Sequence, residues 1–309
     1  TKFQSGDDII LLYQNARSGT CAEYAVCEED ELVMKPHEMS FEQAAVLPTI
    51  GATALEMFRK HPSICKILDD EIEYVMENGK LSEVPTERPD LKILVIGASG
   101  GCGMACILLA KGFLSRYFNV KVYGVCSERN TNVVASLGTD VVIDYTKTTA
   151  AAGKDTIHPY ESQNVPSICE LVRQHGDNTV DLVLECVGGH YFYDDVCRNL
   201  CSEQGANQVV FAAIAPPGIC EVTLKTLFQL GTYIVSNKIK SYFSGYPSYY
   251  FAEMKANNKS QYFVTHFAFK ENNSYEKIPL ISFPLEEINN AHALIESERA
   301  VGKVILNID

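Results

Sequence analysis

The run Lys92-Ile93-Leu94-Val95-Ile96-Gly97-Ala98-Ser99-Gly100-Gly101-Cys102-Gly103 constrains this chain more than any other stretch. A β-branched, apolar strand enters a turn with four glycines, and an apolar run that reads as a helix over 104–118 follows. A backbone can approach an anion closely only where no Cβ stands in the way. The start of the helix adds unpaired N–H groups and the positive end of a dipole. The turn therefore predicts a dinucleotide site, with Gly100, Gly101, Cys102 and Gly103 at the pyrophosphate. Gly103 is also the residue that lets helix and strand pack closely, and Ala98 stands where a strict G-x-G-x-x-G has its first glycine. A purely structural tight turn is the competing reading; the strand–turn–helix setting favours the dinucleotide.

The alternation continues downstream. Strands are predicted over 121–126, 140–145, 180–186 and 208–213, with helices over 132–137, 167–175 and 191–200 between them. Right-handed crossovers would build these into an α/β fold, a doubly wound parallel sheet covered on both faces. Upstream, Ser40 and Gln43 have the spacing of a capping box, so a helix is expected over 41–58, broken near Pro48 and Gly51. The polar stretches 61–90 and 146–166 read as surface insertions, the first with a short helix over 64–76. Residues 8–13 and 19–27 read as two strands from the middle of a β domain whose beginning lies upstream. A helix from Pro284 to Ile295 and a strand over 302–306 close the chain, while 233–277 has no clear period.

Composition narrows the function. The chain has 309 residues, enough for about two domains. Its 26 basic and 39 acidic residues give a formal charge of -13, which repels phosphate backbones and argues against nucleic acid as a partner. Eleven scattered cysteines without a CxxC pair point to a reducing compartment, read here as the cytoplasm. The uncharged stretch 93–110 is long enough to span a bilayer, but its glycines split it into strand, turn and helix, so no transmembrane segment is expected.

The end of the second strand, Val122-Tyr123-Gly124-Val125-Cys126-Ser127, tests the cofactor. NAD sites usually place an acid there for the ribose hydroxyls. Here Cys126 holds the position, and Ser127 and Arg129 follow, which suits the 2′-phosphate of NADPH. Glu128 keeps NADH as the second candidate, and an ordinary exposed charge is the plain reading of Arg129. The aromatics Tyr242-Phe243, Tyr246 and Tyr249-Tyr250-Phe251 read as a pocket lining, a dimer contact or core. Cys186 reads as a buried apolar filler rather than a reactive thiol.

The glycine turn resembles that of zinc-independent quinone oxidoreductases in the medium-chain dehydrogenase/reductase family. Four more stretches resemble the same family, in the same order. They are Gly19-Thr20-Cys21-Ala22-Glu23-Tyr24, Ser40-Phe41-Glu42-Gln43-Ala44-Ala45-Val46-Leu47-Pro48, Val180-Asp181-Leu182-Val183-Leu184-Glu185-Cys186-Val187-Gly188-Gly189 and Val301-Gly302-Lys303-Val304-Ile305-Leu306. The run Cys126-Ser127-Glu128-Arg129-Asn130 is similar to plant chloroplast-envelope and fungal members.

The resemblance implies a Rossmann domain over 45–279 and part of a GroES-like β domain from 1–44 and 280–309. It implies that Thr53 lies near the nicotinamide, Tyr145 near the adenosine phosphate, and Gly188 and Ala213 on loops edging the dinucleotide. Thr49 falls where zinc-dependent relatives carry a cysteine ligand, so no metal is expected. Asn130 departs from the lysine of bacterial members, which leaves the charge to Arg129. The implied activity is NADPH-dependent hydride transfer to a small apolar quinone or α,β-unsaturated carbonyl, with a homodimer formed through the sheet edge at 208–213. No residue is assigned as the proton donor. The alternative is a catalytically weak relative that acts through protein partners in membrane-protein trafficking, with peripheral membrane association.

Overall fold

The computed structural model describes residues 2–12, 20–148, 167–187, 193, 200, 209–214, 224–242, 246–252, 257–297 and 299–308. A short antiparallel pair comes first, β1 (Ile9–Leu11) against β2 (Leu32–Met34), with Ile10 opposite Val33. The strand expected over 19–27 is not there: residues 20–27 have no regular structure, and Tyr24 and Val26 are 88% and 81% exposed. Alternation alone does not make a strand; a partner strand must run alongside, and among the described residues 20–27 belongs to no sheet.

A six-stranded parallel sheet carries the fold. Its strands are β3 (Asp90–Ile96), β4 (Asn119–Cys126), β5 (Val141–Asp144), β6 (Leu182–Glu185), β7 (Val210–Ala213) and β8 (Ser248–Phe251). They lie side by side in the order β5-β4-β3-β6-β7-β8. The order reverses between β3 and β6, and that point of a doubly wound sheet opens a crevice beyond the strands' carboxyl ends. Both faces are covered, which is why β3 reads as an unbroken apolar run. Leu91, Ile93 and Val95 face one core, with α1 (Phe41–Phe58), α2 (Pro62–Asn78) and α3 (Gly101–Lys111). Leu94 and Ile96 face the other, with α5 (Ile168–Gln174), Tyr193 and Leu200. Between these lies the short α4 (Thr131–Ser136), after β4. Most of the helix expected over 191–200 and the loop 149–166 lie outside the described residues.

Two expectations upstream need correction. The first helix is continuous through Pro48 and Gly51. Its capping box is present, with Ser40 Oγ accepting from the Gln43 N–H at 3.2 Å and Gln43 Oε1 accepting from the Ser40 N–H at 2.9 Å. Pro48 removes one internal hydrogen bond, but Val46, Leu47, Ile50, Leu55 and Phe58 are buried along the helix, and that packing outweighs the loss. Gly51 is a notch rather than a break. A Cβ there would lie 2.4 Å from Val264 Cγ1, in the π-helical turn Val264–Ala268. The stretch after it is no surface ornament either: α2 buries Ile64, Leu68, Ile72 and Val75 at helical spacing. Its Glu71 is buried and accepts from the Ser82 N–H and the Tyr117 hydroxyl, both at 2.7 Å.

The segment without a sequence period supplies α6 (Leu224–Lys240), β8 and α7 (Asn258–Phe263). Its aromatics divide. Tyr249 is core, edge-on to Tyr193 with ring centroids 5.1 Å apart, whereas Tyr242 is exposed. Strand β7 lies between β6 and β8, so the stretch ending at Ala213 is not a sheet edge. Among the described strands the edge there is β8, where Lys238 Nζ reaches the Tyr249 carbonyl at 3.5 Å and covers part of it. The chain then forms β9 (Leu280–Pro284), α8 (Ile288–Glu296) and β10 (Lys303–Asn307). β9 and β10 pair in parallel, apart from the large sheet. Among the described residues, no helix is long and apolar enough to cross a membrane.

Candidate functional site

The glycine turn sits at the carboxyl end of β3, at the switch point of the sheet. Its first residues are tied to the neighbouring strand, with the N–H groups of Gly97 and Ala98 donating to Val125 O at 3.2 and 2.9 Å. The Gly100 N–H donates to Gly97 O at 3.1 Å, and the Met104 N–H to Gly100 O at 2.9 Å. The donors of Cys102 and Gly103 fall in the first turn of α3, where a helix has no acceptor of its own. Two glycines have opposite surroundings. A Cβ on Gly103 would lie 2.2 Å from Gly97 O, so this residue joins helix to turn. Among the described residues a Cβ on Gly100 would meet only Gly97 O, at 3.5 Å, so they leave the space beside it open. An open backbone face at a helix N-terminus fits a pyrophosphate. Ala98 is accommodated because Gly124 lies across from it on β4, where an added Cβ would sit 3.3 Å from the Ala98 Cβ.

The ends of β4 and β5 form the second part. Cys126 pairs with Asp144 in register, so the residues following each strand are neighbours. Burial pushes the Cys126 thiol up to about 11 and keeps it neutral. Ser127 is half-buried, and its carbonyl accepts from the Asn130 N–H at 2.9 Å. Arg129 is exposed, with no ion pair among the described residues. Tyr145 is half-buried and packs beside Ile143. Lys147 Nζ contacts Glu128 Oε1 at 2.7 Å and Asp144 Oδ2 at 3.4 Å. Burial opposes ionisation of Asp144, but hydrogen bonds from Thr146 and the Lys147 cation outweigh it and hold the carboxyl below its usual range.

Thr53 reaches the turn from the opposite side. It lies close enough to the Cys102 thiol to influence its ionisation, and its hydroxyl donates to Thr49 O at 2.7 Å. Burial pushes the Cys102 thiol up to about 12. The neighbouring Cys106 thiol, together with burial, raises Cys186 well above its usual range. Neither sulfur is therefore a ready nucleophile. Ala213 is the last residue of β7 and is buried, its carbonyl accepting from the Ala252 N–H at 2.8 Å. It lies in the sheet rather than on a loop. Gly188 is outside the described residues. The structure thus brings Thr53 to Gly100–Gly103, and Ser127, Arg129 and Tyr145 to one corner.

Three residues at the site escaped the sequence reading. Asn130 is buried and donates from Nδ2 to Ser99 Oγ at 3.0 Å, so it ties the β4 loop to the glycine turn. Its departure from lysine was visible; its bond was not. Glu185, a buried acid at the end of β6, accepts from the Val187 N–H at 2.7 Å and sits opposite Ile96. Gly302 bridges to Gly100, its N–H donating to Ser99 O at 3.2 Å. It holds φ +82°, and a Cβ there would lie 2.1 Å from Pro279 O.

Comparison with known proteins agrees with this architecture. The family model described as zinc-binding dehydrogenase matches residues 137–306, more than half of the chain. The chloroplast envelope quinone oxidoreductase homolog of Arabidopsis thaliana is 35% identical over 152 residues, 49% of this chain and 39% of that protein. The NADPH-dependent alkenal/one oxidoreductase of the same plant is 28% identical over 225 residues, 72% of this chain and 44% of that one. The matches thus span less than half the length of these curated relatives. The solved quinone oxidoreductase of Pseudomonas syringae superposes with a TM-score of 0.59 at 19% identity, over 99% of this chain and 76% of that one, which speaks to the fold alone. The fold is a Rossmann sheet with part of a GroES-like β domain, and the chain belongs to the zinc-binding dehydrogenase family.

Proposed function

We propose that this chain binds NADPH across the carboxyl ends of β3 and β6 and serves hydride transfer to a small quinone or α,β-unsaturated carbonyl, without zinc. The observation that carries the reading is the open backbone face at Gly100, beside the N–H groups that start α3. The relative named as an NADPH-dependent alkenal/one oxidoreductase supports the same class of cofactor and acceptor. When bound, the reduced nicotinamide supplies the hydride. The chain's own part is positional. The turn and the helix start hold the phosphates, and Thr53 closes the turn from the α1 side. The Thr53 proton is committed to Thr49 O, so this hydroxyl accepts toward the crevice more readily than it donates. In this reading residues 45–279 hold the dinucleotide, and 1–44 with 280–309 form the other wall.

The donor set does not fit the zinc of the family's description. Thr49 occupies the ligand position, and a hydroxyl is a poor zinc donor. Among the described residues, no group of three His, Cys, Asp or Glu could hold a metal ion.

Calorimetric titration with NADPH and NADH tests the proposal, with Gly100→Val as the comparison. The backbone at Gly100, φ -83° and ψ 160°, accepts any residue, so the variant should fold normally. It should bind NADPH about 100-fold more weakly, since blocking the approach forfeits roughly two charge-assisted hydrogen bonds. Binding of neither cofactor by the folded wild-type chain would sink the proposal and turn attention to protein partners.

A further inference from the structure

The corner formed by the ends of β4 and β5 holds two cations and two carboxylates. Arg129 and Glu128 follow β4, and Asp144 and Lys147 end and follow β5. Within it the Glu128 carboxylate and the Lys147 ammonium make direct contact at 2.7 Å. Both side chains are about two-thirds exposed, at 68% and 65%, so their attraction is weak and open to competition from an incoming anion. Asp144 holds Lys147 only loosely, its Oδ2 lying 3.4 Å from Nζ, while its Oδ1 accepts from the Thr146 N–H and hydroxyl at 3.0 and 2.7 Å. Asn130, which stands where bacterial members have a lysine, is committed to Ser99.

From this geometry we infer that Lys147 is a specificity-determining residue for the adenosine ribose, with Glu128 as its exchangeable counter-ion. A ribose 2′-phosphate brings a charge near -2 and several acceptor oxygens, so it displaces Glu128 and takes Lys147 together with Arg129. A ribose with a free 2′-hydroxyl brings no charge. Lys147 then stays with Glu128, and the carboxylate is left to accept from the hydroxyls. One ion pair therefore answers both cofactors, and its opening selects the phosphorylated one. This assignment rests on the cofactor reading proposed above.

The test is calorimetric titration of the full chain and two variants, Lys147→Gln and Glu128→Gln, with NADPH and with NADH. An exposed ion pair adds little to stability, so both variants should keep the wild-type melting temperature. Lys147→Gln should weaken NADPH about tenfold, the usual worth of a hydrogen bond to a charged group, and leave NADH within about twofold. Glu128→Gln should tighten NADPH several-fold and weaken NADH, as the corner gains one net positive charge. NADPH binding that ignores Lys147→Gln, or a loss shared equally by both cofactors, overturns the inference and leaves the cofactor reading standing. Wild-type chain that binds neither cofactor overturns both.

Discussion

Replacing Gly103 with alanine should lower the melting temperature by roughly 6–12 °C. The added methyl would stand 2.2 Å from Gly97 O and 2.9 Å from Ala98 Cα, against backbone that cannot rotate away. Strand, turn and helix must then separate, and overpacking of this kind costs about 3 kcal/mol. At about 2–4 °C per kcal/mol for a large domain, that gives the stated fall. The control lies three residues earlier. Gly100→Ala meets nothing closer than 3.5 Å and should melt within about 2 °C of wild type. Thermal unfolding followed by circular dichroism separates the two, and equal melting temperatures would show that Gly103 is not the packing point. The pair also divides the turn by role: one glycine serves the packing, and the other leaves room for the proposed dinucleotide.

Asp177→Asn is expected to destabilise the sheet by about 2–3 kcal/mol near neutral pH. Asp177 is buried in the loop between α5 and β6, at the end of the sheet opposite the crevice. Lys92 Nζ from β3 and Lys121 Nζ from β4 each contact it at 2.7 Å, and the Tyr123 hydroxyl donates to it. Burial opposes its ionisation, but the two lysines and the tyrosine more than reverse that and hold the carboxyl far below its usual range. The pH dependence follows from the sign. A carboxyl depressed in the folded state adds stability that is complete above its unfolded value, near 4, and is lost as pH falls toward the folded one. The gap between wild type and Asp177→Asn should therefore be full at neutral pH and shrink on acidification below about pH 4. Denaturant midpoints measured across that range check it. A gap that stays constant into acid would mean that packing, not charge, accounts for the loss.

The parallel sheet was legible because strands buried on both faces leave nearly continuous apolar runs. Lys92 to Ile96 and Val122 to Cys126 show them plainly. The glycine turn was legible because its chemistry is local. What failed was non-local. Residues 20–27 alternate like a strand, but nothing in a sequence says whether a partner strand lies alongside. Gly51 reads as a helix breaker until Val264, some two hundred residues later, is seen packed on it. The Asn130–Ser99 bond and the Glu128–Lys147 pair join residues from different strand ends, so their roles depend on register, which sequence spacing does not carry. Strand β8 was missed for a similar reason. Its tyrosines suit strand, surface and pocket equally, and only the seat beside β7 decides among them.

The bridge between Gly100 and Gly302 has a bearing on biosynthesis. A ribosome releases residues in order, and the β3–β4–β5 half of the sheet can collapse long before Gly302 is made. Until then the carbonyl of Ser99 faces solvent, without the Gly302 N–H that it accepts in the finished fold. The nascent chain therefore carries a preformed but unlatched turn. Closure of the turn waits for the synthesis of Gly302 rather than following the folding of the strands that carry it.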